Sequence, residues 1–171
     1  MPLRTVLTWP DPRLRNIAEP VDVVDESIQA LVRDLFETMY AENGVGLAAT
    51  QVGVPVRVVV MDCGGDEPAP IALVNAEIVE REGSILWREG CLSVPGVTAE
   101  VERSERIVVN YLDEHGESQV LNADGLLAVC VQHELDHLDG QLYIDRLAEL
   151  ERKATLLAYD DAQATGSDET P

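Results

Sequence analysis

Ile28, Leu31, Val32, Leu35, Phe36, Met39 and Tyr40 recur every three or four residues. That spacing puts apolar side chains on one face of a helix. It predicts a helix over residues 25–42, with Asp25 as its N-cap. The following Gly44-Val-Gly-Leu-Ala-Ala-Thr-Gln-Val-Gly53 is too rich in glycine to prolong it. Residues 56–61, 71–79 and 84–87 are short apolar or alternating runs and predict strands. Residues 106–112 alternate around Val108 and Asn110, Asp113-Glu-His-Gly116 is a turn, and a short strand follows over residues 119–121.

A second helix is predicted over residues 126–137, capped by Asn122 or Asp124. Leu126, Leu127, Val129, Cys130 and Val131 make its first turns apolar nearly all round, the mark of a buried helix. Gly140 stands where a C-terminal glycine belongs. Residues 146–159 predict a terminal helix. The last twelve, DDAQATGSDETP (160–171), lack core residues and predict a disordered acidic tail. No linker divides residues 1–159, so one domain is expected.

Composition narrows the classes. No apolar run approaches the roughly 20 residues that cross a bilayer. The opening MPLRTVLTWPDPRLR lacks the apolar core of a signal peptide, so a cytoplasmic protein without a membrane partner is expected. Cys63, Cys91 and Cys130 are an odd number with no paired spacing, which predicts free thiols or a ligand rather than a disulfide framework. The net charge of −20, with Lys153 the single lysine, repels phosphates and argues against a DNA partner.

The chemistry lies in Gln132-His-Glu-Leu-Asp-His137. Residues four apart share a helix face, so His133 and His137 can close on one metal ion, with Glu134 beside them to work on a water. The third ligand is open on spacing alone. Cys130 lies seven residues from His137, about 10 Å along a helix, too far to share an ion with it. A motif with a third histidine six residues after His137 would end on Tyr143, a poor ligand. Cys91, in Glu89-Gly-Cys-Leu-Ser-Val-Pro-Gly96, sits in a constrained loop, but an isolated intracellular cysteine is more readily an inert core residue.

Three segments together resemble the peptide deformylase family of the bacterial type. They are Gly44-Val-Gly-Leu-Ala-Ala-Thr-Gln51, Glu89-Gly-Cys-Leu-Ser93 and Gln132-His-Glu-Leu-Asp-His137, in the family's order and spacing. Asp11-Pro-Arg-Leu-Arg15 extends the match, which spans residues 3–152. The resemblance implies an α+β fold in which antiparallel β-sheets surround a central helix carrying His133 and His137, with an N-terminal and a C-terminal helix. It implies Cys91 as the third ligand, Glu134 as the base, and the Leu92 N–H and Gln51 amide as donors to the reacting oxygen.

The implied reaction is hydrolytic removal of the formyl group from N-formylmethionyl peptides, with release of formate. The implied cofactor is one divalent ion, Fe²⁺ in the cell, with Ni²⁺, Co²⁺ or Zn²⁺ as substitutes. Gly44, Gly46, Arg88, Glu89 and Gly90 are candidates to meet the peptide, and Val45, Trp87, Leu126, Val129 and Cys130 to form the methionine pocket. Asp136 is expected to pair with Arg103. Thr98 departs from relatives that carry arginine there, and Arg88 is a candidate substitute. A monomer acting on nascent chains at the ribosome fits the family, although the segment after Lys153 is acidic where some members dock with a basic helix.

Two other classes remain. A metallopeptidase cutting internal bonds leaves the segments around Gly44 and Cys91 unexplained, and a purely structural metal module has no use for Glu134. A charge of −20 also has a physical consequence whatever the function. Screening shortens from about 10 Å at 0.1 M salt to about 3 Å at 1 M, so self-repulsion weakens. The melting temperature, followed by circular dichroism, is expected to rise over that range of NaCl; a flat or falling curve removes self-repulsion as a limit on stability.

Overall fold

The computed structural model describes residues 3–169, with side chains described through residue 164. It is a mixed α/β fold: a five-stranded antiparallel sheet, a separate two-stranded hairpin and three helices. The sheet order is β1 (Gly46–Ala48), β2 (Val58–Asp62), β3 (Pro70–Glu82), β6 (Arg106–Leu112) and β7 (Ser118–Asp124). The hairpin is β4 (Ile85–Cys91) with β5 (Val94–Arg103). The helices are α1 (Glu26–Ala41), α2 (Gly125–Leu138) and α3 (Glu149–Glu169).

Strand β2 shows why helices cover both faces of the sheet. Its residues alternate in direction. Val58 and Val60 pack with Leu31, Val32, Leu35 and Met39 of α1. Val59 and Met61 pack with Ala128, Val131, Leu135 and Leu138 of α2. Four consecutive buried residues on one strand thus serve two cores. The apolar stripe of α1 is the one the spacing predicts, and the Asp25 carboxylate accepts from Ile28 N–H at 3.1 Å as its N-cap.

Helix α2 also has two sides. One packs on the sheet. The other carries His133, Asp136 and His137 toward the hairpin, through contacts to Glu89, Arg103 and Cys91. A third cluster joins Val94, Ala99 and Val101 of β5 to Leu142, Tyr143 and Ile144 and to Tyr159 of α3.

Several boundaries differ from the apolar pattern. Strand β5 is unpredicted because Pro95 and Gly96 near its start read as a turn and Arg103, buried at its end, reads as surface. The three-residue β1 is hidden in the glycine-rich run. Asp124 occupies the N-cap position of α2 but makes no side-chain cap bond there. Residues 143–146 form a short 3-10 turn, and α3 begins later, at Glu149. That helix then continues through Glu169, past Tyr159, where the sequence pattern predicts the acidic tail. Ala162 and Gln163 are good helix formers, and Gln163 reaches the Pro95 carbonyl at 3.1 Å. Residues 170 and 171 of that tail lie outside the described residues.

Gly140 closes α2 as expected, at φ +75°. A Cβ there would lie 2.6 Å from the Arg15 backbone oxygen. Left-handed backbone costs a non-glycine residue about 1–2 kcal/mol, and the clash adds to it. Gly140→Ala is expected to lose about 2 kcal/mol or more in urea unfolding; a loss within experimental error would remove this constraint on where α2 ends.

Candidate metal centre and active site

Three elements meet at one point. Cys91 ends β4, and His133 and His137 lie one turn apart on α2. Cys91 Sγ is 3.3 Å from His137 Nε2, which is 3.2 Å from His133 Nε2. All three atoms lie within 4.8 Å of one another. Atoms held about 2.0–2.3 Å from a shared ion at tetrahedral angles would be roughly 3.3–3.8 Å apart, so the donor set fits a metal. Among the described residues it is the one such group of three or more histidine, cysteine or acidic side chains.

The surroundings orient each ligand. Glu89 Oε1 lies 2.8 Å from His133 Nδ1, which leaves Nε2 facing Cys91 and His137. An acidic partner on the far nitrogen fixes both tautomer and ring direction. Glu89 is itself gripped by Arg103, Nε to Oε2 at 2.7 Å and Nη2 to Oε1 at 2.8 Å. Arg103 Nη1 also meets Asp136 Oδ2 at 2.6 Å, the pair expected from the sequence. Arg146 adds two more bonds to Asp136, at 2.6 and 2.7 Å. The Cys91 sulfur accepts from Ser93 N–H at 3.4 Å and lies 3.7 Å from Gln51 Nε2. Gln51 is held in turn by Ser93 Oγ at 3.0 Å and by Ala48 N–H, which donates to its Oε1 at 2.9 Å.

The electrostatics call for a cation. Burial alone would depress His133, but Glu134, Cys91 and Glu89 around it raise its pKa well above the ordinary value. Burial, with His133 next, holds His137 well below. Burial pushes Glu89 up, yet Arg103 and His133 outweigh it and keep its carboxyl below the usual range. Burial pushes Glu134 up to about 7. Glu134 Oε1 and His137 Nδ1 are buried without a hydrogen-bond partner among the described residues. A Cβ on Gly46 would lie 2.5 Å from Glu134 Oε2, so the carboxylate is seated where only glycine leaves room.

A cleft of about 590 Å³ opens over this cluster. Every site residue named from the sequence lines it except His137: Gly44, Val45, Gly46, Gln51, Trp87, Arg88, Glu89, Gly90, Cys91, Leu92, Leu126, Val129, Cys130, His133 and Glu134. His137 is 1% exposed and sits behind the other two ligands. Two of these residues also have neighbours inside the protein. The Glu89 carboxylate, a candidate for peptide contact, is occupied by Arg103 and His133. Gly46, a candidate for substrate pairing, faces Glu134. Arg88 lies beside Thr98, Nη1 to Oγ1 at 3.2 Å, with both on the cleft wall.

Sequence reasoning missed Ser93 and Arg146, and the wall residues Glu42, Asn43 and 94–97. Ser93 lies inside the segment around Cys91, so its position was a usable signal. Arg146 carries none, because Asp136 is ten residues away on another element.

Three convergent side chains able to hold a metal, with an adjacent buried carboxylate, point to a metal-dependent hydrolase as the class. Comparison with known proteins agrees. The family model for polypeptide deformylase matches residues 3–153. A peptide deformylase of Xylella fastidiosa is 55% identical over 155 residues, covering 89% of this chain and 91% of that protein. The crystal structure of a peptide deformylase from Legionella pneumophila superimposes with TM-score 0.93 at 44% identity, covering 99% of this chain and all (100%) of that one. A peptide deformylase from Ehrlichia chaffeensis in complex with actinonin gives TM-score 0.87 at 40% identity, with coverage of 96% and 98%. The chain belongs to the polypeptide deformylase family. These metalloenzymes remove the N-terminal formyl group from nascent polypeptides.

The Glu89–His133 contact yields a prediction. Glu89→Gln keeps an oxygen for Nδ1–H but removes the charge that orients and polarises the ring. Metal affinity, measured by chelator competition, is expected to fall about 10–100-fold. Unchanged affinity would reduce Glu89 to a partner of Arg103 alone.

Proposed function

We propose that Cys91, His133 and His137 hold one divalent ion and that Glu134 moves the protons as this chain deformylates N-formylmethionyl peptides. The observation carrying the reading is the convergence of the three donor atoms within 4.8 Å, beside a buried carboxylate with an unpartnered oxygen. Held there, the ion would supply Lewis acidity, easing deprotonation of a water and polarising the formyl carbonyl.

The chain's own groups do the rest. Glu134 takes the proton from the water whose oxygen attacks the formyl carbon. A carboxyl pushed up to about 7 is poised to accept that proton and give it back. Charge gathering on the formyl oxygen is met by the Leu92 N–H and by the Gln51 amide, which gives up its 3.7 Å contact with Cys91 to do so. Glu134 then passes the proton to the amine nitrogen as the C–N bond breaks. Formate and a free N-terminus result.

Val45, Trp87, Leu126, Val129 and Cys130 receive the methionine side chain, while Gly44, Gly90 and Arg88 lie along the peptide's path. Fe²⁺ is the proposed ion, with Ni²⁺ and Co²⁺ as active substitutes and Zn²⁺ poorer. A thiolate donates more charge than a third imidazole would, which weakens the ion as a Lewis acid and favours metals that readily add a ligand. Residues 1–159 act as one catalytic domain in the cytoplasm. Chains still on the ribosome are within reach as substrates, but a net charge of −20 opposes a direct RNA contact.

Formate release from formyl-Met-Ala-Ser tests the whole reading. Activity that chelator abolishes, with casein left uncut, is expected. Glu134→Gln should keep about one ion per chain and lose at least about 10²-fold in turnover, the usual scale for a general base. Near-normal turnover with the ion bound would sink the role given to Glu134.

A further inference from the structure

We propose that the turn Tyr143–Arg146 is a positioning element for the metal centre. Tyr143 holds the face of the His133 ring, and Arg146 acts on its Nδ1 edge through Asp136, Arg103 and Glu89. The inference rests on the ligand set proposed above. Neither Tyr143 nor Arg146 lines the cleft.

Tyr143 stands six residues after His137, where a third histidine would complete a longer ligand motif. The structure gives it a different contact with the site. Its ring lies against that of His133, with centroids 6.1 Å apart and planes 25° from parallel. Offset-stacked rings prefer separations of about 4.5–7 Å. Tyr143 is buried, packs with Val94, Ala99 and Val101 of β5, and donates its hydroxyl to the Val97 carbonyl at 3.3 Å. Leu142 and Ile144 on either side are buried as well. Asp145 closes the turn, accepting from Leu142 N–H at 2.9 Å and pairing with Arg15. The turn is thus seated by contacts that do not involve Arg146.

Arg146 is its last residue. Two buried carboxylates lie between it and the ligands, and each has a guanidinium fork of its own. Arg103 grips Glu89 at 2.7 and 2.8 Å, and Arg146 grips Asp136 at 2.6 and 2.7 Å. One further bond, Arg103 Nη1 to Asp136 Oδ2 at 2.6 Å, joins the two pairs. Glu89 Oε1, which lies 2.8 Å from His133 Nδ1, also accepts from Arg103 Nη2. A shift of Arg103 therefore reaches the ring through a single carboxylate. Without Arg146, Asp136 keeps Arg103 as its one cationic partner among the described residues. A buried carboxylate short of a partner then competes with Glu89 for that guanidinium.

The sign of the effect separates this role from a plain charge effect. Arg146 is a cation near a cation site, so by charge alone its loss should tighten metal binding. As a positioning residue, its loss should weaken it. Arg146→Met removes charge and fork, whereas Arg146→Lys keeps the charge and loses the fork. The Arg146 side chain is 42% exposed, so both variants are expected to fold.

The full chain and its variants are loaded with Co²⁺, titrated against a chelator and followed by visible absorption. Affinity is expected to fall about 10-fold in both Arg146 variants, the lower end of the range for residues behind a ligand. The d–d bands, which report the geometry around the ion, should shift. Tighter binding in Arg146→Met with parent-like binding in Arg146→Lys would show a charge effect and overturn the positioning role. Parent affinity and spectrum in both, with a lowered melting temperature alone, would also overturn it. Tyr143→Phe keeps the ring and should bind like the parent, while Tyr143→Leu should shift the spectrum. A weakened Tyr143→Phe or an unchanged spectrum in Tyr143→Leu overturns the ring contact. A parent that takes up no Co²⁺ would overturn the ligand set itself, a result seen before any variant is compared.

Discussion

One guanidinium holds the candidate metal centre together. Arg103, the last residue of β5, lies between Glu89 of β4 and Asp136 of α2 and is 4% exposed. Helix α2 is apolar toward the sheet, and its other side would bury acids and imidazoles against the hairpin without compensation. Removing one partner from a buried pair of this kind costs about 3–5 kcal/mol, because a charge is left unpaired. The same contact has a geometric consequence. Cys91 belongs to the hairpin and the two histidines to α2, so the ligand set exists only while hairpin and helix are fastened. Glu89 links both functions, carrying the charge of Arg103 to the Nδ1 edge of His133.

Elements with one dominant periodicity are legible in the sequence. The stripe of α1, the alternation of β6 and the apolar turns of α2 appear at the positions their patterns predict, to within a residue or two. Strand β5 is illegible because it departs from apolar-in, polar-out: Arg103 is among its buried residues, and Pro95 and Gly96 read as a turn. The continuation of α3 depends on a tertiary contact, Gln163 on the Pro95 carbonyl, which no local pattern contains.

The candidate site divides along the same line. Two ligands follow from a four-residue helical interval, a purely local fact. The third cannot be found that way, since Cys91 and His137 are 46 residues apart and meet only through the fold. Only the resemblance of three linked segments singles out Cys91. The residues behind the ligands are harder still. Ser93 serves both Gln51 and Cys91, and Arg146 doubles the cationic partners of Asp136, yet neither type of residue is diagnostic. What a sequence reveals of such a centre is the donor atoms. The groups that aim them stay hidden until the chain is folded.

Glu134 shows what the scaffold gives up for chemistry. Most buried polar atoms in native proteins find a partner, and each exception calls for a reason. Here one carboxylate oxygen has none, the other faces the bare Cα of Gly46, and burial lifts the pKa to about 7. A side chain on Gly46 would displace the carboxylate, and a donor beside Oε1 would stabilise its charged form and return its pKa toward that of an ordinary glutamate. Either change would relieve the local cost and weaken the group proposed to accept and return a proton near neutrality. The Arg103 network offsets that cost from a distance: it pairs with Glu89 and Asp136 and leaves Glu134 Oε1 without a partner beside the cleft.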